Sequence, residues 1–212
     1  MCSGRVDLEF LLRAFSRGQD GVLIGGCRLN ECNYVTQGNY DALGNTYICK
    51  KLMEHIGLNP ERLRIAFMSS GDGILLAEVI DDFTNHIREI GPLGKSEGED
   101  QNGLKVKLEA ARKLVPYIRL VERERLRVPS KSEEAYTKFF TGDEFDGLFD
   151  DLIVNKLAMS QIMLLLKEKP LSTGEISEVL GLEPSEVSRH INSSSRHGLV
   201  RYDVNSKCYA LA

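Results

Sequence analysis

Residues 20–34 read DGVLIGGCRLNECNY, and the run Val22-Leu23-Ile24 inside them decides the fold class. A compact apolar stretch bounded by Gly21 and Gly25 reads as a buried strand, and it runs through a glycine pair directly into Cys27. Upstream, Val6 to Phe15 predicts a short helix with Val6, Phe10, Leu11 and Ala14 on its apolar face and Gly18 as its stop. Downstream, Asp41 to Ile56 predicts a second helix, with Ile48, Leu52, Met53 and Ile56 turned inward. Leu63 to Met68 alternates as a second strand and enters a loop at Ser69-Ser70-Gly71. Gly71 to Ile90 predicts a third helix burying Leu75, Val79, Phe83, Ile87 and Ile90. Helix, strand, helix, strand, helix is the order of an α/β unit whose parallel sheet is covered by helices. The unit opens on a helix and offers only two strands, so the expected sheet is small and N-terminally incomplete.

Beyond it, Gly91 to Gly103 (GPLGKSEGEDQNG) has the composition of a linker. Leu104 to Arg127 predicts a basic helix that Pro116 should kink or divide. Glu133 to Asp151 turns acidic around Phe139, Phe140, Phe145 and Phe149. This opposite-sign pair reads either as two solvated faces or as a docking arm for another subunit. Residues 152–212 predict three helices and a hairpin, the order of a winged helix-turn-helix domain. Leu157 to Leu166 is the first helix, Ser172-Thr173-Gly174-Glu175 is a capping box opening the second, and Pro184 to Arg196 is the third. Strands at 199–202 and 207–211 turn around Asn205-Ser206. The expected domains are thus 1–92, a linker and helical arm at 93–151, and 152–212.

The 212 residues carry a formal net charge of −4 and are 42% hydrophobic and 27% charged, an ordinary globular composition. Mild acidity argues against a generic polyanion binder. No apolar run approaches the roughly 18 to 20 residues of a membrane-spanning helix, and residues 1–13 lack the features of a signal peptide. A cytoplasmic chain with no membrane partner is expected. Neither a Ser-His-Asp arrangement nor a phosphate-binding glycine loop is evident, which argues against independent catalysis. Ser69-Ser70-Gly71-Asp72 offers an anion site or an ordinary helix cap.

The five cysteines, Cys2, Cys27, Cys32, Cys49 and Cys208, are an odd number without a secretory signal, which is not a disulfide framework. In an open parallel sheet, ligands gather beyond the carboxyl ends of the strands. Cys27 and Cys32 lie in the loop after the first strand, and Cys2 precedes the first helix, so all three can converge at one sheet edge. Flanking Gly4, Gly25 and Gly26 let backbone N–H groups approach sulfur, and Arg5 can offset thiolate charge. Soft anionic sulfur suits iron–sulfur clusters, although Cys-x4-Cys alone also fits a structural thiol pair or a zinc site. Cys49 reads as a helix-face thiol and Cys208 as a small buried hydrophobe.

Cys2-Ser3-Gly4-Arg5-Val6, Asp20-Gly21-Val22-Leu23, Gly26-Cys27-x4-Cys32-Asn33-Tyr34 and Gly38-Asn39-Tyr40 resemble, in order, the successive motifs of one family. That family is the delta, iron–sulfur subunit of methyl-viologen-reducing hydrogenase, and the resemblance covers residues 1–92. It implies a 2Fe–2S protein passing electrons from a hydrogenase or other dehydrogenase to a heterodisulfide reductase. By position it makes Cys2, Cys27 and Cys32 the cofactor-binding metal ligands. Family members carry an upstream strand and helix with further cysteines, so ligation is expected to be incomplete within this chain.

Ser185 to Ile191 and Gly198-Leu199-Val200 are similar to winged-helix repressors. Val187, Ile191 and Leu199 should face the core, and Ser185, Ser188, Arg189, Asn192 and Arg196 should face outward. His190 and His197 read as surface polar residues. The leading expectation is an electron-transfer subunit of an oxidoreductase complex. The alternative is a redox-responsive winged-helix transcription regulator, with DNA the less favoured partner.

Overall fold

The computed structural model describes residues 2–34, 38–98 and 100–212. Strand β1 (Val22–Gly26) pairs in parallel with β2 (Leu63–Phe67), in register from Val22 opposite Leu63 to Gly26 opposite Phe67. Helices α1 (Leu8–Ser16) and α2 (Asn39–His55) pack with this ribbon through Leu8, Leu11, Leu12, Phe15, Ile48, Leu52, Met53, Ile24 and Leu63. The expected α/β unit with a small parallel sheet is therefore present.

The apolar face of α1 differs from the expected one. Asp7 caps the helix by accepting from the Glu9 amide, so the count of i, i+3, i+4, i+7 starts at Leu8. Leu8, Leu11, Leu12 and Phe15 are buried, while Phe10 lies exposed under the Arg13 guanidinium. Helix α3 (Gly73–Ile90) departs further, because of its predicted inward residues only Phe83 is buried. Ile74 is 80% exposed, and Leu75, Leu76 and Ile80 also face solvent. Period alone shows which side of a helix is apolar, not whether the fold covers it. Two strands offer a narrow surface, which α3 meets through Phe83 and Ile87. Gly21 permits that close approach, since a Cβ there would lie 2.6 Å from the Ile87 side chain, which would have to turn aside.

The glycine-rich segment after α3 is anchored by Arg62, whose side chain is fully buried. Its guanidinium donates to the carbonyls of Asp20, Gly91 and Pro92, to Ser96 Oγ and to both Glu97 carboxylate oxygens. Burial pushes the Glu97 carboxyl up, but Arg62 and the Asn59 amide outweigh it and hold the pKa below the usual carboxylate value.

Helix α4 (Gln101–Arg125) runs unbroken through Pro116, against the expected division. Proline forgoes one backbone bond, but packing on both neighbours offsets the loss. Leu104, Leu108, Ala111, Val115 and Ile118 are buried, Arg112 pairs with Glu9, and Arg119 pairs with Asp7. Helices α5 (Glu133–Phe140) and α6 (Asp143–Phe149) turn Phe140, Phe145 and Phe149 inward beside α2. Tyr47 stacks on Phe140 at 5.2 Å, and Lys51 pairs with Asp146 at 2.7 Å. The aromatic residues of this stretch thus form an intramolecular layer, while Glu133, Glu134, Asp143, Glu144, Asp150 and Asp151 stay exposed as a solvated acidic face.

Glu122 lies on α4 near Asp7 and Asp41, and burial, followed by those two carboxylates, pushes its pKa from 4.5 up to about 7. Between these values the folded chain holds a proton that the unfolded chain has lost, so stability falls as pH rises. At about 1.4 kcal/mol per unit, the loss is on the order of 3 kcal/mol. Glu122→Gln is expected to flatten this slope and to be more stable than the parent at pH 8 in urea unfolding. Parallel pH profiles for the two proteins would contradict the assignment.

A π-helical turn at Asp150–Val154 joins α6 to α7 (Asn155–Glu168). With α8 (Thr173–Leu180), α9 (Pro184–Arg196) and the antiparallel hairpin β3 (Val200–Asp203)–β4 (Cys208–Leu211), α7 forms the winged helix. Its own core contains Ile162, Leu165, Leu166, Ile176, Leu180, Val187, Ile191 and Val200. The Ser172–Glu175 capping box forms in both directions, and Gly181 ends α8 at φ +69°.

Three details correct the sequence reading. His190 is only 5% exposed, because positions 187, 190, 191 and 194 form the inner face of α9. Leu199 is 49% exposed beyond the helix end, and Cys208 is only partly buried. Among the described residues, no helix is long and apolar enough to cross a membrane.

Candidate functional site

The carboxyl ends of β1 and β2 lie at one sheet edge, where the Met68 amide donates to the Gly26 carbonyl at 2.8 Å. Cys27 leaves β1 at this edge. Cys2 caps a 3-10 turn at Ser3–Arg5, and its Sγ accepts from the Gly4 amide at 3.4 Å. Cys32 approaches from the loop after β1, and its Sγ lies 3.7 Å from that of Cys2. The structure therefore brings Cys2 and Cys32 together, with Cys27 beside them.

Helix α2 holds this loop through its first residues. Asn39 Nδ2 donates to the Cys27 and Arg28 carbonyls at 2.8 Å and points at Cys27 Sγ from 3.6 Å. Gly38 precedes it at φ −127°, a value any residue adopts, so its need is for space. A Cβ there would lie 2.3 Å from the Tyr34 carbonyl oxygen and 2.6 Å from Cys32 Sγ.

Local electrostatics separate the thiols. The Tyr34 amide foremost, then the Asn39 amide and the Cys2 and Cys27 thiols, hold Cys32 below its usual pKa against the effect of burial. Burial, then Cys32, pushes the Cys27 thiol up. A cation bound by these sulfurs would relieve their mutual repulsion. Arg5 is exposed at the end of its turn.

The Ser69–Asp72 turn is closed by its own carboxylate. Asp72 accepts from the Ser69 amide and hydroxyl and pairs with Arg28 at 2.7 Å, which occupies those donors without an external anion.

Cys49 and Cys208 stand apart from the site. Cys49 is buried in α2, where burial pushes its pKa up to about 12, and Cys208 lies in the wing. Ser3, Gly38 and Asn39 shape the site beside the cysteines. Their signal in the sequence is the unbroken motif itself, because neither spacing nor charge marks them.

The donor set suits a thiophilic metal group. Tetrahedral coordination with metal–sulfur bonds near 2.3 Å places two thiolates on one metal ~3.8 Å apart, and Cys2 and Cys32 stand at 3.7 Å. The backbone N–H donors at sulfur are those a bound thiolate needs. Among the described residues the buried Ser3 hydroxyl beside Gly26 has no hydrogen-bond partner. Among the described residues, no group of three or more His, Cys, Asp or Glu side chains converges on a single metal ion.

Residues 1–91 match the family model of the methyl-viologen-reducing hydrogenase delta subunit. The iron–sulfur subunit of the vhu F420-non-reducing hydrogenase of Methanopyrus kandleri is 35% identical over 92 residues, which are 43% of this chain and 69% of that protein. The chain belongs to this delta-subunit family. The iron–sulfur subunit of the F420-non-reducing hydrogenase of Archaeoglobus profundus is 44% identical over 91 residues, 43% of this chain and 66% of that protein. A subunit of the ferredoxin/F(420)H(2)-dependent CoB–CoM heterodisulfide reductase of Methanosarcina acetivorans is 45% identical over 94 residues, 44% of this chain. Only 12% of that larger protein is spanned. The delta-subunit match therefore ends near the end of α3. A separate match, to the bacterial regulatory protein arsR family, covers residues 158–202 and hence the helices of the winged domain.

Proposed function

We propose that this chain is an iron–sulfur electron-transfer subunit that relays electrons between a hydrogenase or dehydrogenase and a heterodisulfide reductase-type partner. In this reading it is not an independent catalyst. Residues 1–92 are the cluster domain, 93–151 the arm and 152–212 the winged-helix module of a cytoplasmic protein. The observation that carries the proposal is the 3.7 Å approach of the Cys2 and Cys32 sulfurs at the strand ends. Cys2, Cys27 and Cys32 would hold a 2Fe–2S cluster, in which each iron takes two protein ligands, so a close pair with a third thiol nearby suits the dinuclear form. The cluster supplies one-electron redox chemistry when bound. The protein's part is to hold thiolates, supply N–H donors and exclude the Cys49 thiol, which stays in the core. These three thiols leave the fourth ligand position to a group beyond them.

The test is anaerobic reconstitution of the full chain with iron and sulfide, with and without the heterodisulfide reductase partner protein. Sulfur-to-iron charge-transfer absorbance and about two irons per chain are expected, in higher yield with the partner and abolished by Cys27→Ser. Tight uptake of a single zinc ion, with no cluster under any condition, would overturn the reading.

A second reading rests on the winged helix. Ser185, Arg189, Asn192 and Arg196 are exposed along one side of α9, where a major groove would lie. Arg189, however, is engaged by Asn155 at 3.3 Å and Glu186 at 3.7 Å. Recovery of a defined operator from random duplexes, bound differently with and without the cluster, would favour a redox-responsive regulator. Weak binding that disappears at moderate salt would favour a docking role.

A further inference from the structure

Cys2 and Cys32 are separated by 30 positions in the sequence, yet their sulfurs stand 3.7 Å apart. Both residues are free thiols and only partly buried. A disulfide bond is about 2.05 Å long, so the two sulfurs need approach by only about 1.7 Å to be joined. Each cysteine belongs to a short irregular segment, Cys2 to the cap of a 3-10 turn and Cys32 to the loop after β1. Neither sits in a helix or strand that would have to deform. The other cysteines are placed differently. Cys27 is pinned by Asn39, whose Nδ2 donates to its carbonyl at 2.8 Å and faces its Sγ from 3.6 Å. Cys49 is buried in α2, and Cys208 lies in the wing.

We infer that Cys2 and Cys32 are the site of a reversible disulfide, formed by exchange with a small disulfide when the two thiols hold no cluster. The bond stands on the sulfur contact alone. Its consequence rests on the electron-carrier reading and deepens it. Sulfurs joined to each other cannot serve as thiolate ligands, so oxidation closes the site to iron and reduction reopens it. The exchange balances in two steps. The thiolate of one cysteine attacks a sulfur of the small disulfide, forming a mixed disulfide and expelling one small thiolate. The second cysteine's thiolate then attacks the protein sulfur of that mixed disulfide, forming the Cys2–Cys32 bond and expelling the other. The cysteines lose two electrons and two protons, and the small disulfide leaves as two thiols.

The experiment treats the full cluster-free chain with hydroxyethyl disulfide under anaerobic conditions, then labels free thiols in denaturant and maps linked peptides by mass. Two of the five thiols should be lost, in a peptide joining Cys2 to Cys32, and dithiothreitol should restore them. Cys27→Ser should give the same linked peptide, whereas Cys2→Ser and Cys32→Ser should give only mixed disulfides with the reagent. A link that maps to Cys27, a link only between chains, or mixed disulfides alone in the parent would overturn the inference while leaving the electron carrier intact. Iron uptake by the oxidised parent should fall by about tenfold or more and recover with dithiothreitol. An oxidised chain that carries the Cys2–Cys32 link and still assembles the cluster as well as the reduced chain would instead overturn the ligand roles of both cysteines.

Discussion

Arg62→Ala is expected to destabilise the chain by about 3–5 kcal/mol, the cost of removing one partner of a buried ion pair. The side chain is fully buried, and its guanidinium satisfies three carbonyls and Ser96 as well as the Glu97 carboxylate. Alanine would leave Glu97, itself nearly buried, without its counter-charge, and would release the 91–98 segment from the sheet. Denaturant unfolding followed by far-UV circular dichroism gives the number. The double change Arg62→Met with Glu97→Leu should recover much of the loss, because no unpaired charge remains. Glu97 adds a pH signature. Its folded pKa is depressed, so its contribution is present above the unfolded carboxylate value and disappears as pH falls through the folded one. An alanine variant as stable as the parent would show that the network is decorative.

Gly38→Ala is expected to remove cluster binding while sparing the fold. The new methyl would sit 2.6 Å from Cys32 Sγ and 2.3 Å from the Tyr34 carbonyl oxygen, so the loop carrying Cys32 must shift. Displacing a group that supports a ligand typically costs 10- to 100-fold in metal affinity, and here the ligand itself moves. Iron content and visible absorbance after reconstitution should fall by about tenfold or more, with thermal unfolding near that of the parent. The separation is expected because Gly38 lies at the start of α2, away from the buried Ile48, Cys49, Leu52 and Met53 that hold that helix in the core. Normal cluster uptake by this variant would refute the described position of Cys32.

Strand β1, strand β2 and the helices between and around them are legible in the sequence because glycine-bounded apolar runs and helical periodicity are local properties. The winged helix is legible for the same reason, since its capping box and its αL glycine are written in consecutive residues. Cys2, Cys27 and Cys32 are legible as candidates from their motifs, and the structure brings Cys2 and Cys32 together. Less visible are residues whose roles depend on contacts between distant segments. The glycine-rich stretch 91–98 has a linker's composition, yet Arg62, about thirty residues earlier, gathers its carbonyls. His190 reads as a surface polar residue, and the register of α9 against its neighbours turns it inward.

The sequence by itself determined the element order, the parallel character of the small sheet, the winged-helix module and the place of Cys27 at the end of β1, because each follows from residue type and short spacing. Tertiary structure alone decided that Cys2 and Cys32 meet at 3.7 Å across thirty residues, and that Asn39 holds the Cys27 loop. It also decided that α3 leaves Ile74, Leu75, Leu76 and Ile80 in solvent while the phenylalanines of α5 and α6 are covered. The reason is physical. Periodicity specifies which face of an element is apolar or reactive, whereas the partner of that face is chosen by packing among segments far apart in the chain.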